Sequence, residues 1–219
     1  MKHIIKRPEP QELLDWKAQD KMYKRGRRNY DRIRGQVKDA LITSLRYEQG
    51  DICCYCEGPL RDRDSHVEHI KPQETYRMLS CDYDNMVCSC QLEIPKGAPK
   101  HCGMSKGSWY KNGEFISPLD QDCETKFSYT FDGQILPAEP TDANASITIE
   151  KCQLAVPKLK SARQVVIDTF IDGALSDEDR ITYIQNYLVQ QNENGGSYNP
   201  FYTTIKLLFG HLIPSGEVS

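Results

Sequence analysis

The sequence predicts an α+β fold in which a small, cysteine-rich strand region lies between two helical regions. Residues 36–49 place apolar side chains at helical spacing, and residues 161–170 and 201–212 do so again. Between them, residues 51–90 combine tightly spaced cysteines with a strand-like run at 66–70. We therefore expect an N-terminal helical arm over 1–49, a strand-bearing core over 50–112, and a mixed C-terminal region over 113–219.

The N-terminal arm is expected to be basic and helical. Helices are predicted over residues 10–22 and 36–49, separated by the run KRGRRNYDRIRG. Residues 1–49 hold 13 Lys and Arg against 7 Asp and Glu, which suits contact with a polyanion. A solvated helix face is the alternative. The candidate nucleic-acid contacts are Lys24, Arg25, Arg27 and Arg28, with Lys71 in the core.

The core is expected to contain two short strands between residues 51 and 71. Cys53 and Cys56 would lie in the first turn, and Pro72 would end the strand at 66–70. Residues 82–90, DYDNMVCSC, are predicted to form a short helix. A polar loop then leads to His101 and Cys102.

The C-terminal region is expected to contain short strands within 114–150 and helices over 161–170, 176–191 and 201–212. Ser176 and Asp179 resemble a capping box. Residues 113–219 hold 7 Lys and Arg against 15 Asp and Glu, which suits a protein partner or simply solubility. The apolar stripe of the last helix is interpreted as core, with a docking face as the alternative.

Composition narrows the class of protein. Charged residues make up 27% and hydrophobic residues 38% of the 219 positions, as in ordinary globular proteins. No apolar run reaches the roughly 18–20 residues that span a bilayer. The first residues lack an apolar signal segment, so we expect a cytoplasmic protein. Nine cysteines cannot all pair in disulfides, and their tight spacing indicates metal ligation.

Glu68 and His69 are the candidate catalytic pair. Hydrolysis of a phosphodiester needs a deprotonated water and a cation that stabilises the leaving oxygen. A carboxylate is a ligand that magnesium or manganese prefers, and a neutral imidazole accepts the proton of water. Asn85 is expected to orient the histidine, directly or by holding the loop, and Lys106 is expected near the phosphate.

Taken in order, these motifs resemble the HNH nuclease family. The pattern is Cys-x-x-Cys, Glu-His-Ile-x-Pro, Asn-x-x-x-x-Cys and Cys-x-x-x-Lys. The resemblance implies a ββα-metal core in which Glu68 binds the catalytic cation, His69 is the general base and Asn85 supports it. Lys106 matches the lysine that closes the motif. The resemblance also implies a structural zinc ion held by Cys53, Cys56, Cys90 and Cys102.

A narrower resemblance covers most of the chain. The runs CCYCE, SHVEHIKP, HCGMSKG and PLDQDCETKFSY are similar to the retron- and Septu-associated, PtuB-like HNH nucleases of bacterial antiphage systems. That similarity implies a hetero-oligomer with an ABC/SMC-like ATPase of the PtuA type.

One position departs from the family pattern. Where HNH nucleases carry an Asn or His ligand directly after the last cysteine, this chain has Gly103. His101 is the favoured replacement because imidazole is the better ligand, and Gln91 is the alternative. The long insertion before Cys102 also leaves Cys88 open as an alternative to Cys90, and Cys54 as an alternative to Cys53.

The expected function is a DNA endonuclease that uses one magnesium or manganese ion. The alternative is a catalytically weak, zinc-stabilised nucleic-acid-binding or scaffold subunit, which the glycine at 103 supports. RNA cleavage by the same chemistry is a third possibility.

Overall fold

The computed structural model describes residues 1–61, 64–171, 173, 175–188 and 196–213. Helices dominate both ends of the chain, and two small antiparallel hairpins lie between them. The helices in chain order are α1 (Gln11–Gln19), α2 (Lys21–Lys24), α3 (Gln36–Glu48), α4 (Gly103–Lys106), α5 (Ala143–Lys151), α6 (Pro157–Ile171), α7 (Asp177–Tyr187) and α8 (Tyr202–Phe209). The strands are β1 (Ser65–His69), β2 (Met86–Cys90), β3 (Phe127–Tyr129) and β4 (Ile135–Pro137).

The β1–β2 hairpin is the centre of the molecule. The strands are antiparallel, and Glu68 lies opposite Val87 while His66 lies opposite Ser89. All five residues of β2 are buried, because α3 packs on this strand as well. The short helix α4 follows the second strand after an insertion of about a dozen residues. The elements therefore run strand, strand and short helix.

The cysteine turn is fixed to the hairpin by backbone and amide hydrogen bonds. The Cys54 amide donates to the Cys88 carbonyl at 3.1 Å. Gln49, at the end of α3, clamps the same strand residue: its side-chain oxygen accepts from the Cys88 amide at 2.6 Å, and its nitrogen donates to the Cys88 carbonyl at 2.9 Å. Among the described residues between α3 and β1, a bridge between Ile52 and Pro59 takes the place of the predicted first strand.

Two further predicted elements are wrong. Residues 86–90 form a strand and not a helix, because pairing with β1 buries the whole apolar run; a single turn at Tyr83–Asn85 is the only helical part. Conversely, residues 143–151 form α5 and not a strand. Asp142 caps this helix by accepting from the Asn144 and Ala145 amides at 2.9 Å, and the capping outweighs the weak alternation of its isoleucines.

The C-terminal helices build a second apolar cluster. Phe170 of α6, Ile184 of α7 and Phe209 of α8 meet in it and are all buried. The Ser176 hydroxyl accepts from the Asp179 amide at 3.1 Å, which confirms the predicted cap of α7. The predicted end of this helix at residue 191 lies outside the described residues. None of the described helices has the length and apolar character needed to cross a membrane.

Candidate active site

Four cysteines from three separate segments meet inside the hairpin region. Cys53 and Cys56 come from the turn after α3, Cys90 ends β2, and Cys102 directly precedes α4. Their sulfur atoms all lie within 4.8 Å of one another, and all four residues are buried. Within the described ranges, these four cysteines form a group of at least three potential ligands close enough to share a metal ion. Cys54 and Cys88 lie outside this group.

The spacing of the sulfur atoms is compatible with a tetrahedral zinc ion. Zinc–thiolate bonds of about 2.3 Å place tetrahedral sulfurs about 3.8 Å apart, and Cys56 Sγ lies 3.8 Å from Cys90 Sγ. The amides of Cys90 and Gly58 donate to Cys53 Sγ and Cys56 Sγ, each at 3.4 Å. Burial, and then the neighbouring thiols, raise the pKa of Cys102. A bound dication would reverse that effect, since thiolates are the form that ligates.

Glu68 has one anchored oxygen and one free oxygen. Its Oε1 accepts from Lys106 Nζ at 2.9 Å and from the Tyr55 hydroxyl at 3.1 Å. Lys106 is only 2% exposed, and its ammonium also donates to the His69 carbonyl at 3.0 Å. Lys106 is thus buried against the carboxylate, where it compensates a buried charge. Glu68 Oε2 faces His66 Nε2 at 4.0 Å.

His69 is held in one tautomer. Its Nε2 lies 3.0 Å from the Ser80 carbonyl oxygen. Because a carbonyl only accepts, Nε2 carries the proton, and the lone pair of the neutral ring is on Nδ1. Burial lowers the pKa of His69, which keeps the ring neutral near pH 7. The Tyr30 ring packs edge-on against the imidazole, with centroids 5.0 Å apart.

Asn85 fixes the loop between β1 and β2. Its Oδ1 accepts from the Lys71 amide at 2.8 Å, and its Nδ2 donates to the carbonyls of Lys71 and Leu79 at 2.9 and 3.2 Å. Leu79 precedes Ser80, whose carbonyl holds the imidazole of His69. Asn85 therefore reaches His69 through the loop, which is the second of the two routes that the sequence left open.

His101 and Gln91 lie beside the cysteine cluster. His101 Nδ1 is 3.1 Å from Cys102 Sγ and 3.8 Å from Cys90 Sγ. Gln91 accepts from the His101 amide at 2.7 Å and donates to the Pro99 carbonyl at 3.1 Å. Both side chains thus contact the insertion beside the cysteines, and the role of His101 as the ligand missing at Gly103 stays a prediction.

The basic arm reaches the same loop. Lys24, Arg25 and Arg27 are exposed, whereas Arg28 donates to the Met78 carbonyl at 2.8 Å, two residues before Ser80. On the other side of the loop, Lys71 Nζ lies 5.9 Å from the centre of the Tyr110 ring. The arm therefore contacts this loop through Arg28, and its neighbours Lys24, Arg25 and Arg27 are exposed.

Sequence reasoning overlooked the residues that orient the pair. Tyr55 lies between two predicted ligands in the run CCYC, so its position was a usable signal. Ser80 acts through its backbone carbonyl and Tyr30 through its ring, and no spacing in the sequence marks either one.

Comparison with known proteins gives a moderate similarity. No protein-family model matches the chain. The chain is 29% identical to a protein of Vibrio cholerae serotype O1 biovar El Tor, named "Retron Vc95 putative HNH endonuclease", over 65% of this chain and 78% of that protein. The similarity agrees with the HNH resemblance of the motifs.

Proposed function

We propose that the chain is an HNH endonuclease that hydrolyses DNA phosphodiester bonds with a magnesium or manganese ion bound at Glu68. In this proposal β1, β2 and α4 form the ββα-metal core of residues 50–112, and the four clustered cysteines hold a structural zinc ion. The observation that carries it is the pair at the end of β1. Glu68 keeps one oxygen free while Lys106 and Tyr55 hold the other, and His69 beside it has its tautomer set by Ser80.

Each residue of the site has a definite task in this hydrolysis. A divalent cation at Glu68 would polarise the phosphate and stabilise the leaving oxygen. His69 accepts the proton of the attacking water on Nδ1, since its Nε2 proton is committed to the Ser80 carbonyl. Lys106 and Tyr55 keep the Glu68 carboxylate oriented. Asn85 keeps the loop, and through it the imidazole, in place.

The substrate strand would follow the exposed cations of the arm. Lys24, Arg25, Arg27 and Lys71 would contact phosphates, a contact that is independent of base sequence. Arg28 is committed to the Met78 carbonyl and would instead hold the arm against the loop.

The partner and setting follow from similarity. The relative's name refers to a retron, and the motifs resemble retron- and Septu-associated nucleases. We therefore propose that the chain acts as the effector of a bacterial antiphage system with an ABC/SMC-like ATPase. Residues 113–219 are the candidate docking region for that ATPase.

The test is cleavage of plasmid DNA by the full chain with manganese or magnesium, alone and with the proposed ATPase partner. We expect His69→Ala to lower the rate by about 10²- to 10⁴-fold, the usual contribution of a general base. His211→Ala makes the same chemical change at an exposed position and, in the assay without the ATPase, should cut like the unmodified chain.

Two outcomes would contradict the proposal. One is His69→Ala cutting at the unmodified rate. The other is an unmodified chain that binds DNA but never nicks it, with or without the ATPase, which would favour the zinc-stabilised binding or scaffold module.

A further inference from the structure

The residue after the last clustered cysteine has no side chain, and two side chains from β1 occupy the space beside it. A Cβ built on Gly103 would lie 2.7 Å from Glu68 Oε2 and 3.0 Å from His66 Nε2. Carbon atoms do not approach neighbours so closely without displacing them. The carboxylate and the imidazole therefore converge on the place where a side chain at position 103 would begin.

Strand geometry brings His66 to this place. Alternate residues of a strand point to the same face, so His66 and Glu68 share one face of β1. His66 pairs across the hairpin with Ser89, and the Ser89 hydroxyl accepts from the Gly103 amide at 3.1 Å. The hairpin and the first residue of α4 are thus tied together beneath the two side chains.

The protein's own hydrogen bonds leave a gap between these side chains. Glu68 Oε1 is occupied by Lys106 and Tyr55, but Oε2 lies 4.0 Å from His66 Nε2, beyond hydrogen-bond distance. Within the described part of the chain, the buried Nδ1 of His66 has no hydrogen-bond partner either. The two side chains are only 16% and 10% exposed, and polar groups so buried normally have partners.

We propose that His66 Nε2 and Glu68 Oε2 are the protein ligands of the catalytic cation, with His66 replacing the ligand that is absent at Gly103. The 4.0 Å gap is close to the sum of two bonds of roughly 2.0–2.2 Å to an imidazole nitrogen and a carboxylate oxygen, so a cation would be held by both side chains after a small movement of either one. The inference rests on the proposed function, which supplies the cation. Because imidazole suits transition metals better than magnesium, the site prefers manganese.

The test measures manganese binding to the full chain by electron paramagnetic resonance, which reports the free ion, together with zinc content by mass spectrometry. His66→Ala should weaken manganese binding by at least the roughly 10- to 100-fold that loss of an outer-shell partner costs, with zinc content unchanged. It should also remove most of the preference for manganese over magnesium in competition. His211→Ala is the matched control and should bind like the unmodified chain.

Two further variants test the proposed ligands through position 103, the first residue of α4. Gly103→Ala introduces the Cβ that crowds both ligands, so it should weaken manganese binding while all four cysteines keep their zinc. The double variant His66→Ala/Gly103→Asn returns a ligand to the position where the HNH pattern has one, and it should recover part of the lost affinity.

The outcomes separate this inference from the proposed function. If His66→Ala binds manganese as tightly as an unmodified chain that cuts DNA, the ligand assignment is overturned and the nuclease stands. If the unmodified chain neither binds manganese nor cuts DNA, both are overturned. If His66→Ala loses zinc together with manganese, His66 supports the cysteine site and the assignment is again wrong.

Discussion

The hairpin region and the C-terminal helices are stabilised by different kinds of contact. In the hairpin, buried polar groups meet across long stretches of sequence: Lys106 pairs with Glu68, and Asn85 holds Lys71. In the C-terminal cluster the contacts are apolar and aromatic. Phe170 stacks on Tyr183 with ring centroids 4.8 Å apart, and it lies 5.4 Å from Phe209.

The hairpin region carries the proposed chemistry, and the C-terminal cluster stabilises the fold. Buried charges and thiols cost free energy unless each has a partner or a metal ion. In the hairpin region these groups lie where the proposed reaction occurs. The C-terminal cluster needs no such groups. The two regions meet at Glu57 of the cysteine turn, whose carbonyl accepts from the Phe201 amide at 2.9 Å and whose carboxylate accepts from the Thr203 amide at 2.6 Å.

The largest difference between the two regions is expected when one of the four clustered thiols is removed. Cys90→Ser should release the zinc ion and lower the free energy of unfolding by several kcal/mol, because structural zinc contributes folding energy directly. Zinc content and thermal unfolding measure this. Cys123→Ser changes a cysteine that is equally buried but lies outside the cluster, and it should keep the zinc. Full zinc content in Cys90→Ser would mean that the four sulfurs are not the ligand set.

A cavity in the C-terminal cluster should lower the stability of the fold without changing metal binding. Phe170→Ala should lower the free energy of unfolding by about 3–5 kcal/mol, as for other buried phenylalanines, while zinc content and manganese affinity stay unchanged. Ile171→Ala alters the adjacent, 48% exposed residue and should cost less than about 0.5 kcal/mol. If Phe170→Ala lost zinc as readily as Cys90→Ser, the two regions would not be separable.

The smallest effect on folding is expected from a substitution that loosens the loop between β1 and β2. Asn85→Ala removes three hydrogen bonds from the loop that carries Ser80. We expect cleavage to slow by on the order of 10- to 100-fold, as for other small misplacements of a catalytic group, with zinc content and manganese affinity retained. Asn112→Ala, at an exposed position, is the control. An Asn85→Ala chain that cuts at the normal rate would show that the loop does not position His69.

Local patterns predicted the parts of the fold that depend on local signals. Helix α3 follows from the spacing of Leu41 and Leu45, which are both buried, and the Ser176 cap follows from its own sequence. Strand β2 was missed because a five-residue apolar run fits a buried strand or a helix equally well. Only pairing with β1, some twenty residues earlier, decides between them.

The candidate site shows the same limit more sharply. The resemblance to the HNH family implied Cys53, Cys56, Cys90 and Cys102 as the thiolate set, with Cys54 and Cys88 as alternatives, and the structure brings the first four together. The sequence did not reveal that Lys106 forms an ion pair with Glu68, because those residues are 38 positions apart. Nor did it show that His66 Nε2 lies 4.0 Å from the free oxygen of Glu68. That proximity depends on the face of β1 and on the close approach of Gly103.

The central claim is that this chain holds two different metal ions, one among four thiols and one at the free oxygen of Glu68. Anomalous scattering from crystals grown with manganese, recorded at the zinc and manganese absorption edges, tests it most directly. The account predicts a zinc peak centred among the four cysteines and a separate manganese peak within bonding distance of Glu68 Oε2. A manganese-soaked crystal with no peak at Glu68 would contradict it.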